Sequence, residues 1–256
     1  MTRLSVNLNK VALLRNARGG DRPDVAALAR VCLASGAAGV TLHPRPDGRH
    51  ARADDVDALR ALVDETGGEL NVEGNPFAGP SETGGYAYPG FMEILRRSRP
   101  AQATLVPDTA GQLTSDHGWD LGRDGDRLRP VVDELRGLGC RVSLFVDPDP
   151  GTIRAAGALG ADRVELYTGP YAHAHAAGQP GPLLDHHRAA AEAAHAAGLG
   201  LNAGHDLDLD NLGPYLAAVP GVDEVSVGQA LVADALERGL DATVRAYLDV
   251  IAGAGR

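Results

Sequence analysis

Ala34-Ser-Gly-Ala-Ala-Gly-Val40 sets a glycine behind an apolar, helix-like stretch and a β-branched residue shortly after it. The same form returns in Leu138-Gly-Cys-Arg-Val142, Ala158-Leu-Gly-Ala-Asp-Arg-Val164 and Ala197-Gly-Leu-Gly-Leu201. A helix closes readily on a residue in the left-handed region, which glycine enters without steric conflict, and a strand can start two or three residues on. Repetition of this helix–glycine–strand joint predicts alternating strand and helix units.

Working outward from these joints, strands are expected at Leu4–Asn9, Gly39–His43, Glu69–Glu73, Ala103–Val106, Arg141–Val146, Arg163–Tyr167, Gly200–Ala203 and Glu224–Val227. Helices are expected at Asp24–Ser35, Asp54–Thr66, Phe91–Arg97, Leu128–Leu138, Thr152–Leu159, Leu183–Ala197, Leu209–Ala218, Ala230–Arg238 and Asp241–Ala252. Eight strand–helix units of about 32 residues fit an α/β fold of the (β/α)₈ type, a TIM barrel of parallel strands in one domain over residues 1–256. Extended loops are expected after the third, fourth and sixth strands, with 74–90 and 107–124 rich in Gly, Pro and polar residues. An open doubly wound sheet is the competing architecture, but no Gly-x-Gly-x-x-Gly follows the first strand.

Composition narrows the function classes. The chain is 44% hydrophobic and 23% charged, as globular proteins are. No apolar run approaches the ~18 residues that a transmembrane helix needs. The first residues, Met1-Thr-Arg-Leu-Ser-Val-Asn-Leu8, lack the apolar core of a signal peptide. Cys32 and Cys140 sit in apolar surroundings and suit a reducing cytoplasm better than a disulfide scaffold. A net charge of −10 argues against nucleic acid or an anionic membrane as partner. Yet residues 1–50 hold eight basic and three acidic side chains, a local balance of +5 that suits a small anionic ligand. Lys10 is the only lysine among the 24 basic residues. It is read either as a phosphate ligand or as an imine-forming nucleophile.

In such a barrel the chemistry gathers at the C-terminal ends of the strands. Those ends carry Asn7-Leu-Asn-Lys10, His43-Pro-Arg45, Asn71-Val-Glu73, Glu165 with Thr168-Gly169, Asn202-Ala-Gly-His205 and Gly228-Gln229. Alternation along a strand would turn Asn7 and Asn9 the same way, and likewise Asn71 and Glu73. Glu73 and Glu165, set in a barrel expected to be lined by Val, Leu and Ala, need a cationic or hydrogen-bonding partner near the mouth. His43 and His205 end strands, where an imidazole titrating near neutrality serves as acid or base. His186, His187 and His195 fall on a helix and are expected to be solvated. His173-Ala-His175 has metal-ligand spacing but no evident third ligand. Gly204 and Gly228 follow the seventh and eighth strands, where backbone N–H groups can approach a phosphate. With Lys10, Arg18, Arg45 and His50 from the first two loops, the mouth could hold two anionic groups.

Several longer stretches resemble one family: Ser5-Val-Asn-Leu-Asn-Lys-Val-Ala-Leu-Leu-Arg-Asn-Ala-Arg-Gly19, His43-Pro-Arg-Pro-Asp-Gly-Arg-His50, Leu70-Asn-Val-Glu73, Leu105-Val-Pro107, Val142-Ser-Leu-Phe-Val-Asp147, Val164-Glu-Leu-Tyr-Thr-Gly-Pro-Tyr-Ala172 and Leu201-Asn-Ala-Gly-His205. Their order along nearly the whole chain is similar to that of the pyridoxine 5′-phosphate synthases. The resemblance implies a (β/α)₈ barrel in a homo-octamer, a cytoplasmic transferase of vitamin B6 biosynthesis with neither metal nor organic cofactor. It implies condensation of 1-deoxy-D-xylulose 5-phosphate with 3-amino-2-oxopropyl phosphate to pyridoxine 5′-phosphate, phosphate and water. It implies His43 as general acid/base, Glu73 as general base, His205 as proton donor and Glu165 as stabiliser of a charged intermediate. Arg45, His50 and Thr114 would hold the deoxyxylulose phosphate, with Asn9 and Lys10 in the matching slot. Asn7, Arg18, Asp206, Gly228 and Gln229 match positions that hold the aminoketone phosphate. The chain departs from the family pattern at Asn9-Lys10, where that pattern has Asp-His, at Asp206 for glycine, and at Gln229 for histidine. Asp206, turned from the phosphate, would cap the next helix. A Lys10-dependent aldolase or lyase and a non-catalytic phosphometabolite-binding barrel are the competing functions.

Overall fold

The glycine joints adopt the backbone they were read to need: φ is 108° at Gly36, 84° at Gly139, 94° at Gly160 and 71° at Gly198. Each is followed within three residues by a strand, at Gly39, Arg141, Arg163 and Gly200. The computed structural model describes residues 1–109 and 111–254. Barrel strands are β1 (Arg3–Asn7), β2 (Gly39–Leu42), β3 (Glu69–Gly74), β6 (Gln102–Leu105), β7 (Arg141–Val146), β8 (Arg163–Tyr167), β9 (Gly200–Gly204) and β10 (Glu224–Val227). Two more, β4 (Ser81–Thr83) and β5 (Tyr86–Tyr88), pair with each other alone. All barrel pairings are parallel, and β1 bonds both β2 and β10, which closes the ring.

The outer layer consists of α2 (Val25–Ala34), α3 (Ala53–Thr66), α4 (Phe91–Ser98), α5 (Leu121–Gly137), α6 (Pro150–Leu159), α8 (Gly181–Ala196), α10 (Gln229–Arg238) and α11 (Leu240–Ala254). The shorter α1 (Asn9–Asn16), α7 (Gly169–Ala176) and α9 (Leu212–Ala218) lie in the segments after β1, β8 and β9. No helix among the described residues is long and apolar enough to cross a membrane.

The expected Val, Leu and Ala lining belongs to the other face of the sheet. Leu4, Val6, Val40, Leu42, Leu70, Val72, Leu144 and Val164 are fully buried, in one core cluster with helix residues such as Leu59 and Ile94. Their neighbours along the strands are polar and buried: Ser5, Thr41, Asn71, Thr104, Ser143, Glu165, Asn202, Glu224 and Ser226. The register stacks these in rows, with Asn71 beside Gln102, Thr104 beside Ser143, and Glu165 beside Asn202. Hydrogen bonds satisfy many of them: Ser5 to Thr41 at 2.7 Å, Thr104 to Asn71 at 3.0 Å, and Gln102 to Glu224 at 3.1 Å. Arg3 and Arg141 grip Glu69, and Arg163 donates to Asn202 at 2.8 Å. Buried polar groups are costly unless partnered, so an interior of this kind depends on side chains meeting across strands.

Four local expectations change. β1 ends at Asn7 because Asn7 Oδ1 accepts the Asn9 N–H at 3.0 Å, an Asx turn that hands the chain to α1. Asn9 therefore opens a helix and does not share a strand face with Asn7. The 74–90 segment holds the β4–β5 hairpin, turned by Gly84 and Gly85 with φ of 57° and 80°, the positive values a two-residue hairpin turn requires. Tyr86 of this hairpin accepts the Ala53 N–H through its hydroxyl at 3.0 Å. The stretch after β8 is helical, started by Pro170 at the first turn of α7. His187 is fully buried rather than solvated. Its Nδ1 lies 3.0 Å from the Tyr215 hydroxyl, with the Tyr171 ring edge-on nearby, because α7 and α9 cover that face of α8. His186 and His195 on the same helix are exposed.

Candidate active site

The C-terminal ends of β1, β2, β9 and β10, with the segment after β6, line a cavity of about 410 Å³. It brings together Asn7, Asn9, Lys10, His43, Arg45, His50, Thr114, His205, Asp206, Gly228 and Gln229, which come from both ends and the middle of the sequence. Glu73 and Glu165 lie beside it inside the barrel. Arg18 is exposed in the turn after α1 and does not line the cavity. A neighbouring cavity of about 500 Å³ shares His43, Arg45 and Asp108 and reaches under the β4–β5 hairpin.

His43 sits between two carboxylates. Its Nδ1 is 4.0 Å from Glu73 Oε2 and its Nε2 is 4.0 Å from Asp108 Oδ2. These gaps exceed a hydrogen bond, yet a small shift or one bridging atom would close them. Asn9 holds the His43 backbone N–H with its side-chain oxygen at 2.8 Å. Burial, then Arg45 and Arg49, push the His43 pKa well below the usual imidazole value. Burial, then the charges of Glu165, Asp108 and Glu224, push Glu73 well above the usual carboxylate range. At neutral pH the His43 imidazole is thus neutral, beside a Glu73 carboxyl that binds a proton more tightly than an ordinary carboxylate. The resemblance implies a base at Glu73, and this environment makes that base stronger than a free carboxylate.

Asn7 donates to Glu73 at 3.3 Å and Asn71 at 3.5 Å, which aims the carboxyl toward the mouth. Glu165 is pushed up to about 8, first by burial and then by Glu224. Its Oε2 has no partner among the described residues, and its Oε1 lies where a Cβ on Gly204 would approach to 2.6 Å. The bare backbone of Gly204 therefore makes room for the Glu165 carboxyl. Sequence reading had assigned this glycine to phosphate approach alone.

His205 and Asp206 both lie in the left-handed region, with φ of 76° and 61°. For residues carrying a Cβ that conformation costs roughly 1–2 kcal/mol each, least for Asp. The turn is held by Thr168, whose hydroxyl donates to Gly204 O and His205 O, and by Asn211, which donates to Asp206 O at 3.1 Å. His205 Nε2 lies 2.7 Å from Thr114 Oγ1, and Nδ1 lies 3.0 Å from Asp206 Oδ2. Asp206 does not cap the following helix; Asn211 stands at that position. The reason is that residues 207–211 form an intervening turn around Asp208.

The cationic side of the mouth is uneven. Arg45 is already engaged by Asp108 and donates to Gln112 O at 2.9 Å. Arg49 reaches Gln112 O at 3.0 Å. His50 accepts the Ala51 N–H at Nδ1, 2.9 Å away, which leaves Nε2 as its donor when neutral. Burial, then His43 and Arg45, push the His50 pKa down to about 2, so it acts as a neutral donor. Gly228 precedes the first turn of α10, whose N–H groups suit an anion. A Cβ at Gly228 would come within 3.1 Å of Asn7, so the glycine lets strand end and helix start meet.

Asp108, Arg49 and Ser115 line the cavity without having been singled out as site residues. Asp108 anchors Arg45, accepts from Ser115 at 2.9 Å, and accepts from Asn75 through its backbone. Its signal in the sequence was its place after Leu105-Val-Pro107 at a strand end, where any barrel carries function.

A family profile described as "Pyridoxal phosphate biosynthesis protein PdxJ" matches residues 4–253. A protein named pyridoxine 5′-phosphate synthase from Xanthomonas campestris pv. campestris (strain B100) is 60% identical over 252 residues, covering 98% of this chain and 97% of the relative. One of the same name from Xylella fastidiosa (strain 9a5c) is 53% identical over 250 residues, covering 98% and 95%. Among solved structures, Mycobacterium tuberculosis tryptophan synthase superposes with a TM-score of 0.64 at 14% identity, covering 98% of this chain and 92% of that one. That likeness concerns the fold alone.

Proposed function

The chain belongs to the PdxJ family of pyridoxal phosphate biosynthesis proteins, and on that premise we propose that it is a pyridoxine 5′-phosphate synthase. The reaction is the condensation of 1-deoxy-D-xylulose 5-phosphate with 3-amino-2-oxopropyl phosphate to pyridoxine 5′-phosphate, phosphate and water, a transferase activity. The observation that carries this reading is one mouth in which His43, Glu73 and His205 stand beside Lys10, Arg45 and His50.

Imine formation, elimination, water loss and ring closure are proton transfers around carbonyl carbons, which positioned acids and bases accelerate by roughly 10²–10⁴ each. His43, neutral at rest, takes the first proton from a carbon or nitrogen acid. Glu73, which binds a proton more tightly than a free carboxylate, accepts one as base and passes it to a departing hydroxyl. Glu165, with an unpartnered oxygen and a pKa near neutrality, ionises when a cationic imine forms beside it. His205 donates across the mouth. Lys10, Arg45, His50 and Thr114 hold the ketose phosphate. Asn7, Gly228 and Gln229, with the N-terminal turn of α10, hold the aminoketone phosphate, and Arg18 joins them if the turn after α1 folds inward.

Purified protein given both substrates should form pyridoxine 5′-phosphate without added metal. Absence of product under these conditions would sink the reading. The same reading places the enzyme in the cytoplasm as a homo-octamer, which light scattering tests.

A further inference from the structure

We infer that Asp206 is a positioning residue: its carboxylate, 3.0 Å from His205 Nδ1 but off the line of a hydrogen bond, favours the proton on Nδ1, so that Nε2 is presented to Thr114 and the substrate cavity. The inference rests on the proposed reaction for its kinetic readout, but its structural readout is independent.

The geometry is that of a carboxylate–imidazole–hydroxyl series. Asp206 Oδ2 lies 3.0 Å from Nδ1, and Thr114 Oγ1 lies 2.7 Å from Nε2. The contact lacks the alignment of a hydrogen bond, yet the negative charge beside Nδ1 favours a proton there over Nε2. In the neutral ring this leaves a lone pair on Nε2; in the charged ring it leaves an Nε2–H aimed the same way. Tyr167 closes one side, its ring edge-on to the imidazole at 5.4 Å. Asp206 is itself kept ionised, first by the His205 contact and further by the nearby charges of His173 and Lys10. An ionised carboxylate repels phosphate, so its use here is toward the imidazole.

The backbone supports the same assignment. Two consecutive residues with side chains occupy a conformation that favours glycine, and such strain persists only where surroundings over-determine it. Asn211 supplies that hold. Its Nδ2 donates to Asp206 O at 3.1 Å, its Oδ1 accepts the Asp208 N–H at 3.0 Å, and its carbonyl accepts the Tyr171 hydroxyl at 2.8 Å. Tyr171 is fully buried against Tyr215 and His187, so the turn is fixed to the packed layer of α7, α8 and α9.

The test compares full-length wild type with Asp206→Gly and Asp206→Asn, using ¹⁵N-histidine spectra with the His205 signals assigned by difference against His205→Gln. Glycine suits the left-handed backbone, so Asp206→Gly should fold at least as stably as wild type. Wild type should show His205 as the Nδ1–H tautomer. Asp206→Gly should show a mixture, with kcat lowered roughly tenfold, the loss expected when an acid–base group is misaimed rather than removed. KM for both phosphorylated substrates should stay within about threefold. Asp206→Asn, which keeps the size of the side chain without its charge, should resemble Asp206→Gly in tautomer and kcat; wild-type behaviour in Asp206→Asn would overturn the inference.

An unchanged tautomer in Asp206→Gly overturns the inference. So does a changed tautomer without loss of kcat, or a KM effect alone, which would return Asp206 to the phosphate site. If wild type makes no pyridoxine phosphate, the reaction reading falls, while the ring spectra still decide whether Asp206 orients His205.

Discussion

Replacing Gly204 by alanine tests how the barrel mouth is built. Gly204 does not have positive φ, so alanine meets no backbone strain there, and any effect must be steric. The new Cβ would lie 2.6 Å from Glu165 Oε1 and 2.9 Å from Ser226 O. Ordinary van der Waals contact begins near 3.4 Å, so the carboxyl must withdraw by about 0.8 Å and the β10 backbone by about 0.5 Å. The carboxyl could swing, but a strand carbonyl in a closed ladder yields only with its neighbours. Overpacking of this kind costs about 1–3 kcal/mol, or a fall in Tm of roughly 2–10 °C at this chain length. A displacement near 1 Å in a catalytic group can lower rate by about 10²-fold. Product formation under saturating substrates and a thermal melt on the same preparation would measure both. Wild-type kcat in Gly204→Ala would refute the idea that Glu165 depends on this bare backbone. A loss of phosphate affinity with kcat intact would return the glycine to anion binding.

Lys10→Arg should keep phosphate binding within a few-fold and full turnover, whereas Lys10→Met should raise KM at least tenfold. Borohydride-stable attachment of substrate to Lys10, or loss of activity in Lys10→Arg, would favour the imine-forming alternative. Glu165→Gln should be slow but increasingly stable relative to wild type as pH rises from about 4.5 to about 8. The folded carboxyl binds its proton more tightly than the unfolded one, so wild-type stability falls through that window; a pH-independent difference in denaturant midpoints would contradict this. His187→Phe should lose about 1–2 kcal/mol at pH 8, because the Tyr215 hydroxyl is left without its ring partner. The gap should narrow as pH drops from 6.5 to about 4, where folded wild type resists protonation of His187 and the unfolded chain does not. A gap that widens toward acid would show that His187 does not set this loss.

Much of the site was legible because a parallel barrel converts strand ends into one rim. Once the helix–glycine–strand joints fixed where strands end, His43, Asn7, His205 and Gly228 had to converge. The polar interior was hidden because a period of two says that faces differ, not which face turns inward. Val6 and Ser5 are adjacent, and only ring closure decides that the serine faces Thr41. The hairpin was also missed, although Thr83-Gly-Gly-Tyr86 carries a turn signal, since three-residue strands show almost no periodicity.

Composition, glycine spacing and strand-end residues thus determined the barrel and which imidazole, carboxyl and basic side chains gather at its mouth, because local backbone preference and solvent partition act residue by residue. Tertiary structure alone decided proton affinity and aim: that His43 rests neutral beside a Glu73 whose hold on a proton is raised, that His50 donates, and that Asp206 meets an imidazole. Those properties come from burial and from charges brought close by ring closure, and neither exists until the strands have met.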